Sequence, residues 1–91
     1  MYRIMLADDE GIVIDSLKFI IEKEFGDLCE IQYAKTGRSV IELAESYRPD
    51  IAVMDIQMPG INGIDAIKEI KKSNSIAIPI KKTVSWRLIA T

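Results

Sequence analysis

Four short apolar runs, beginning near residues 2, 29, 51 and 76, alternate with stretches of helical spacing, and this repeat limits the possible folds more than any other feature of the chain. Its period of roughly 25 residues is the length of one strand, one crossover helix and two short loops. Alternation of that kind predicts a mainly parallel sheet with helices on both faces. At 91 residues there is room for one such core only, and 48% apolar with 29% charged residues is the balance of an ordinary globular domain.

The individual elements follow from periodicity. Tyr2 to Ala7 is an apolar run closed by Asp8-Asp9-Glu10, a buried strand and then a polar turn. From Gly11 to Phe25, Val13, Leu17, Ile20, Ile21 and Phe25 recur at helical spacing, and Gly26-Asp27 supplies the stop. Cys29 to Ala34 is a second strand, and Val40, Leu43, Ala44 and Tyr47 mark a second helix that ends before Pro49. Ile51 to Met54 is a third strand with Asp55 at its C-terminal end. Residues 56–63 read as a loop, and Ile64, Ile67 and Ile70 as a short helix fading at Lys71-Lys72. A fourth strand spans Ile76 to Ile80, with a possible extension to Val84.

Composition then narrows the chemistry. The chain has no histidine and one cysteine, Cys29, which excludes imidazole ligands, His-based acid–base catalysis, Ser/His or Cys/His nucleophile pairs and an internal disulfide. Carboxylates remain. In an open α/β sheet, ligands bind beyond the C-terminal strand ends, where the strand order reverses. If the first and third strands are neighbours, Asp8, Asp9 and Asp55 converge at that edge. Like charges so close are relieved by a cation or a proton, and Mg2+ takes oxygen ligands, often from one or two carboxylates. The plainer reading makes Asp8-Asp9-Glu10 a helix-capping cluster and Asp55 a turn residue. Their placement at matching ends of two strands favours a site.

The segments Ile4-Met5-Leu6-Ala7-Asp8-Asp9-Glu10 and Pro49-Asp50-Ile51-Ala52-Val53-Met54-Asp55-Ile56-Gln57-Met58-Pro59-Gly60-Ile61-Asn62-Gly63 resemble the receiver domain of two-component response regulators, in register over residues 1 to about 80. The resemblance implies a flavodoxin-like (CheY-like) α/β fold with strand order 2-1-3-4-5. It makes Asp55 the phosphoacceptor, with Mg2+ held by Asp9, Asp55 and the main-chain carbonyl of Gln57, and with Asp8 acting mostly through water. A phosphohistidine on a sensor histidine kinase would be the donor, and an output domain the usual recipient of the signal. The domain itself would be a phosphoacceptor module and not a turnover enzyme.

The resemblance weakens after Ile80. Five strands and five helices need about 120 to 125 residues at this period, so the fold is expected to be incomplete, with about four strands and three helices. Residues 1–80 form the receiver portion and residues 81–91 an altered tail. The family places a Ser or Thr after its fourth strand; Thr83 and Ser85 are the candidates here, and neither keeps the spacing. The fifth-strand Lys has no counterpart, since Lys81 and Lys82 come too early. Residues 1–70 carry all 14 acidic groups against 7 basic ones, while 71–91 carry 5 basic groups and none acidic. Five basic residues with one aromatic make no nucleic-acid motif, so no direct nucleic-acid partner is expected. No secretory signal or membrane span is visible, which points to the cytoplasm. The alternative function is an inert, self-associating α/β half-domain or chimera fragment with a relic acidic cleft. Either way, a sheet left partly covered is expected to form a homo-oligomer.

Overall fold

The computed structural model describes residues 1–55, 68–72 and 76–80, with Pro79 and Ile80 described by their backbone. In chain order these are β1 (Tyr2–Ala7), α1 (Gly11–Phe25), a 3-10 turn (Gly26–Leu28), β2 (Cys29–Ala34), α2 (Gly37–Tyr47), β3 (Ile51–Asp55) and β4 (Ile76–Ile80). Residues 68–71 are also helical. All strands run parallel in the order β2-β1-β3-β4. The sequence therefore places the four strands and both long helices, though not the 3-10 turn, and the flavodoxin-like expectation holds. Ile64, Ile67 and the segment from Lys81 to Thr91 lie outside the described residues.

Connection handedness explains which helix covers which face. The chain steps from β1 to β2 in one direction, then from β2 past β1 to β3 and on to β4 in the other. Right-handed crossovers in opposite directions put their helices on opposite faces. Accordingly, Ile14 of α1 packs with Ile4 and Leu6, flanked by Leu17, Ile21, Ile31, Ile51 and Val53. On the other face, Val40 and Ala44 of α2 and Ile70 pack with Met5, Ala7, Ala34, Ala52 and Met54. The alternation of β1 and β3 sends branched Ile4, Leu6, Ile51 and Val53 to one face and Met5, Ala7, Ala52 and Met54 to the other, so the α2 face is floored by alanine and methionine.

The inward face of α1 differs from the expected stripe. Ile20 and Phe25 are exposed, whereas Ile14 is buried together with Val13. One helix cannot cover four strands, and α1 turns only its Val13-Ile14-Leu17-Ile21 side to the sheet. Nor does the helix stop through a left-handed glycine: Gly26 has φ −44°, and the chain tightens into the 3-10 turn. The second helix ends as Pro49 demands. Arg48 takes φ 49°, its N–H donates to the Ala44 carbonyl at 3.2 Å, and a residue before proline is disfavoured in helical geometry.

At β4, Met54 stands opposite Pro79. Proline withholds a ladder donor and is confined in sheets to edges, first positions or bulges, consistent with β4 at the edge of the described sheet. At the opposite, N-terminal end, Asp50 joins three strands: its Oδ2 accepts from the Arg3 N–H at 2.8 Å, its own N–H donates to the Arg3 carbonyl at 2.8 Å, and its carbonyl accepts from Ile76 at 2.9 Å.

Candidate functional site

The strand order reverses between β1 and β3, and the register there pairs Ala7 with Met54. One residue further along each strand come Asp8 and Asp55, level with each other across a spacing of about 4.8 Å. Asp8, Asp9 and Asp55 each offer a carboxylate oxygen, and these oxygens all lie within 4.8 Å of one another. Asp8 and Asp55 are 3% and 2% exposed, while Asp9 is open to solvent. The sequence-based expectation that these three side chains converge is thus met. Gln57, Thr83 and Ser85 fall outside the described residues.

Local structure explains how Asp8 is held. Its N–H donates to the Ala34 carbonyl at 3.1 Å, extending the β1–β2 ladder by one residue. Its Oδ1 accepts from the Glu10 N–H at 2.9 Å, an Asx-type turn that redirects the chain from strand to helix. Glu10 occupies the N-cap position of α1 but makes no side-chain capping hydrogen bond. The acidic run thus forms the strand-to-helix turn, with Asp8 rather than Glu10 making the side-chain hydrogen bond there.

The donor set suits a small hard dication. All three side-chain donors are oxygens, and opposite ligands of Mg2+ stand about 4.2 Å apart at its usual bond length of about 2.1 Å. Neighbouring ligands stand about 3.0 Å apart, so oxygens that lie within 4.8 Å of one another would draw together around the ion. Asp8, Asp9 and Asp55 are the residues that would hold the ion.

A lysine that the sequence does not single out stands nearby. Lys35, just past β2, reaches back over the first residue of α1: a Cβ on Gly11 would lie 3.3 Å from its Nζ. The same ammonium lies 5.8 Å from the centre of the Tyr33 ring. A glycine directly after the acidic run was the one available signal for this close approach.

No helix among the described residues is long and apolar enough to cross a membrane. Residues 4–83 match the family model of the response regulator receiver domain. The transcriptional regulatory protein YdfI of Bacillus subtilis (strain 168) is 35% identical over 83 residues, which are 91% of this chain and 38% of that protein. A protein-glutamate methylesterase/protein-glutamine glutaminase of Methanospirillum hungatei is 38% identical over 80 residues, 88% of this chain and 23% of its own length. Among solved structures, the response regulator domain of Thermotoga maritima CheB superposes with a TM-score of 0.76 at 30% identity, covering 98% of this chain and 69% of that one. A chain in the complex of histidine kinase ThkA with response regulator protein TrrA gives a TM-score of 0.79 at 30% identity, covering 96% and 74%. The chain thus spans less than half the length of these two curated relatives. With the family match across most of its length, and with the parallel sheet and the acidic edge in place, this chain belongs to the response regulator receiver domain family.

Proposed function

We propose that the chain accepts a phosphoryl group on Asp55, in a Mg2+-dependent step, from a phosphohistidine of a sensor histidine kinase. The observation that carries this reading is the convergence of Asp8, Asp9 and Asp55 at the strand-order reversal. Asp55 is the nucleophile because it ends the buried strand β3, whose pairing on both sides fixes its backbone. In the transfer, an Asp55 carboxylate oxygen forms the new O–P bond as the N–P bond of the donor breaks, and the bonding pair returns to the imidazole nitrogen. No proton needs to be moved by the protein, so a chain without histidine is adequate. Phosphoryl transfer depends chiefly on positioning and on charge stabilisation. Mg2+ held by Asp9, Asp55 and the Gln57 carbonyl, with Asp8 acting mostly through water, would neutralise charge on the phosphoryl oxygens. Asp8 and Asp9 orient that ion, and burial of Asp55 limits the directions from which a donor approaches.

The kinase partner is supported by TrrA, which is found in complex with the histidine kinase ThkA. Regulatory output through further sequence is supported by YdfI, of which this chain spans 38%. We place the domain in the cytoplasm, where it acts as a switched acceptor and not as a turnover enzyme. In this reading residues 1–80 form the receiver unit, and 81–91 supply neither a well-spaced hydroxyl nor a family-type Lys. A chain of these residues alone is then modified slowly and incompletely. Exposure to acetyl phosphate with Mg2+, followed by intact-mass measurement, tests the assignment. A partial mass gain of one phosphoryl group, absent without Mg2+ and absent in Asp55→Asn, is expected. No gain from acetyl phosphate or from a panel of phosphorylated kinases would favour an inert relic cleft. Rapid stoichiometric gain would show that the hydroxyl and Lys matter less than argued.

A further inference from the structure

The acidic edge has a cation beside it. Lys35 follows Ala34 of β2 as Asp8 follows Ala7 of β1 and Asp55 follows Met54 of β3, and the ladders pair Ala7 with both Ala34 and Met54. The three residues therefore stand level on neighbouring strands, Lys35 one strand spacing from Asp8 and about 10 Å from Asp55 along the sheet. Ala7, Ala34 and Met54 all face α2. Strand alternation sends the next residue of each strand toward the α1 side. There Asp8 Oδ1 accepts from the Glu10 N–H, and the Lys35 ammonium lies over Gly11, where a Cβ would come within 3.3 Å of Nζ. Among the described residues Lys35 enters no ion pair. The helix under it offers no compensation either, since an N-terminus is the positive end of the helix dipole.

We propose that Lys35 sets the charge of this edge for phosphoryl transfer: its ammonium opposes the bound dication and draws the anionic phosphoryl donor toward Asp55. The donor half rests on the reading of Asp55 as the phosphoacceptor, and the dication half rests on the carboxylate cluster alone. Asp8, Asp9, Glu10 and Asp55 bring four carboxylates to the edge, so a dication leaves two negative charges facing a donor that is itself negative. Lys35 halves that excess. At about 10 Å, close to one Debye length, its effect is a few-fold and salt-dependent. Lys35 is a positioning residue and leaves the bond changes as they are. With acetyl phosphate, the Asp55 oxygen forms the O–P bond, the donor's own O–P bond breaks, and the electron pair leaves with acetate.

Calorimetric Mg2+ titration and the rate of mass gain from acetyl phosphate test the proposal on the full chain. At low salt, Lys35→Gln should tighten Mg2+ binding about two- to fivefold. It should lower the second-order rate constant for acetyl phosphate at saturating Mg2+ by a similar factor, with the limiting rate at saturating donor unchanged. Lys35→Glu should enlarge both shifts and Lys35→Arg restore the wild-type values. Both shifts should fade at about 1 M salt, where the Debye length is about 3 Å. A charge moves ion and donor in opposite directions, whereas a disturbed loop does not. Lys23→Gln removes the same charge in the last turn of α1, about 18 Å from Gly11, and should change either value by no more than about 1.5-fold. An unchanged or weaker Mg2+ affinity in Lys35→Gln, equal shifts in Lys23→Gln, or a donor rate that does not fall would each overturn the role of Lys35. The Mg2+ shift in a chain whose wild type takes no phosphoryl group would confirm the dication half and sink the phosphoacceptor reading together with the donor half.

Discussion

The Tyr47 hydroxyl donates to the Glu30 carbonyl oxygen at 3.2 Å, and the Arg3 guanidinium carbon lies 5.9 Å from the centre of its ring. Loss of hydration, and then the nearby Glu30 carboxylate, push the Tyr47 pKa from 10 up to about 12. The neutral phenol is therefore favoured by folding. Its contribution is complete below pH 10 and is lost as the pH climbs through about 12, so stability should fall across that window. In a near-ultraviolet titration, a tyrosine step near pH 12 is expected, and Tyr47→Phe should remove it. At the acidic edge, Mg2+ should raise the unfolding free energy of the wild type by about 2.7 kcal/mol at a hundred times its Kd. Asp55→Asn and Asp9→Asn should blunt this response in thermal melts, and an equal response in all three proteins would remove the metal assignment. The residues of this edge were legible because strand ends can be read from apolar runs. Lys35 and Asp50 were not, since their contacts, with Gly11 and with Arg3 and Ile76, depend on which strands become neighbours.

At the scale of elements, α2 is the best specified helix. Its N-terminus carries a reciprocal cap: Thr36 Oγ1 accepts from the Ser39 N–H at 3.1 Å, and Ser39 Oγ accepts from the Thr36 N–H at 3.1 Å. Thr36→Ala should cost about 0.5–2 kcal/mol in denaturant unfolding. Its C-terminus carries a left-handed arginine, where glycine is the usual occupant. Arg48→Gly should therefore be neutral or stabilising, by up to about 1 kcal/mol, although glycine is ordinarily destabilising. The α2 stripe of Val40, Leu43 and Ala44 packs against the sheet as its spacing predicts, while Tyr47, the last of that stripe, reaches the Glu30 carbonyl with its hydroxyl. The stripe of α1 was only partly legible. Ile20 and Phe25 have the right spacing from Val13 and Leu17, but the surface they would need is not beneath them. Periodicity tells which side of a helix is apolar; it does not tell how wide the opposing sheet is.

For the whole molecule, the decisive quantity is the coverage of each sheet face. Among the described residues, the α2 face has two helical segments over a floor of alanine and methionine, and the α1 face has one helix over Ile4, Leu6, Ile51 and Val53. Removing a buried side chain from the better covered face, as in Met54→Ala, should cost about 2–5 kcal/mol in equilibrium unfolding. The parallel architecture was legible from the repeat, but the strand order was not, since equal spacing is compatible with several orders; the order came from the family resemblance. That order puts β1 between two strands that follow it in the chain, with Ile4 beside both Ile31 and Ile51. A nascent chain thus holds β1 without its second neighbour until β3 has emerged, an interval of several seconds at about 5–20 residues per second. Asp55 is the last residue of β3, so the acidic edge is assembled only when that wait ends. Slow translation just beyond β3 would lengthen the time available for that pairing, and faster synthesis would leave more chains with an apolar β1 exposed to chaperones or to one another.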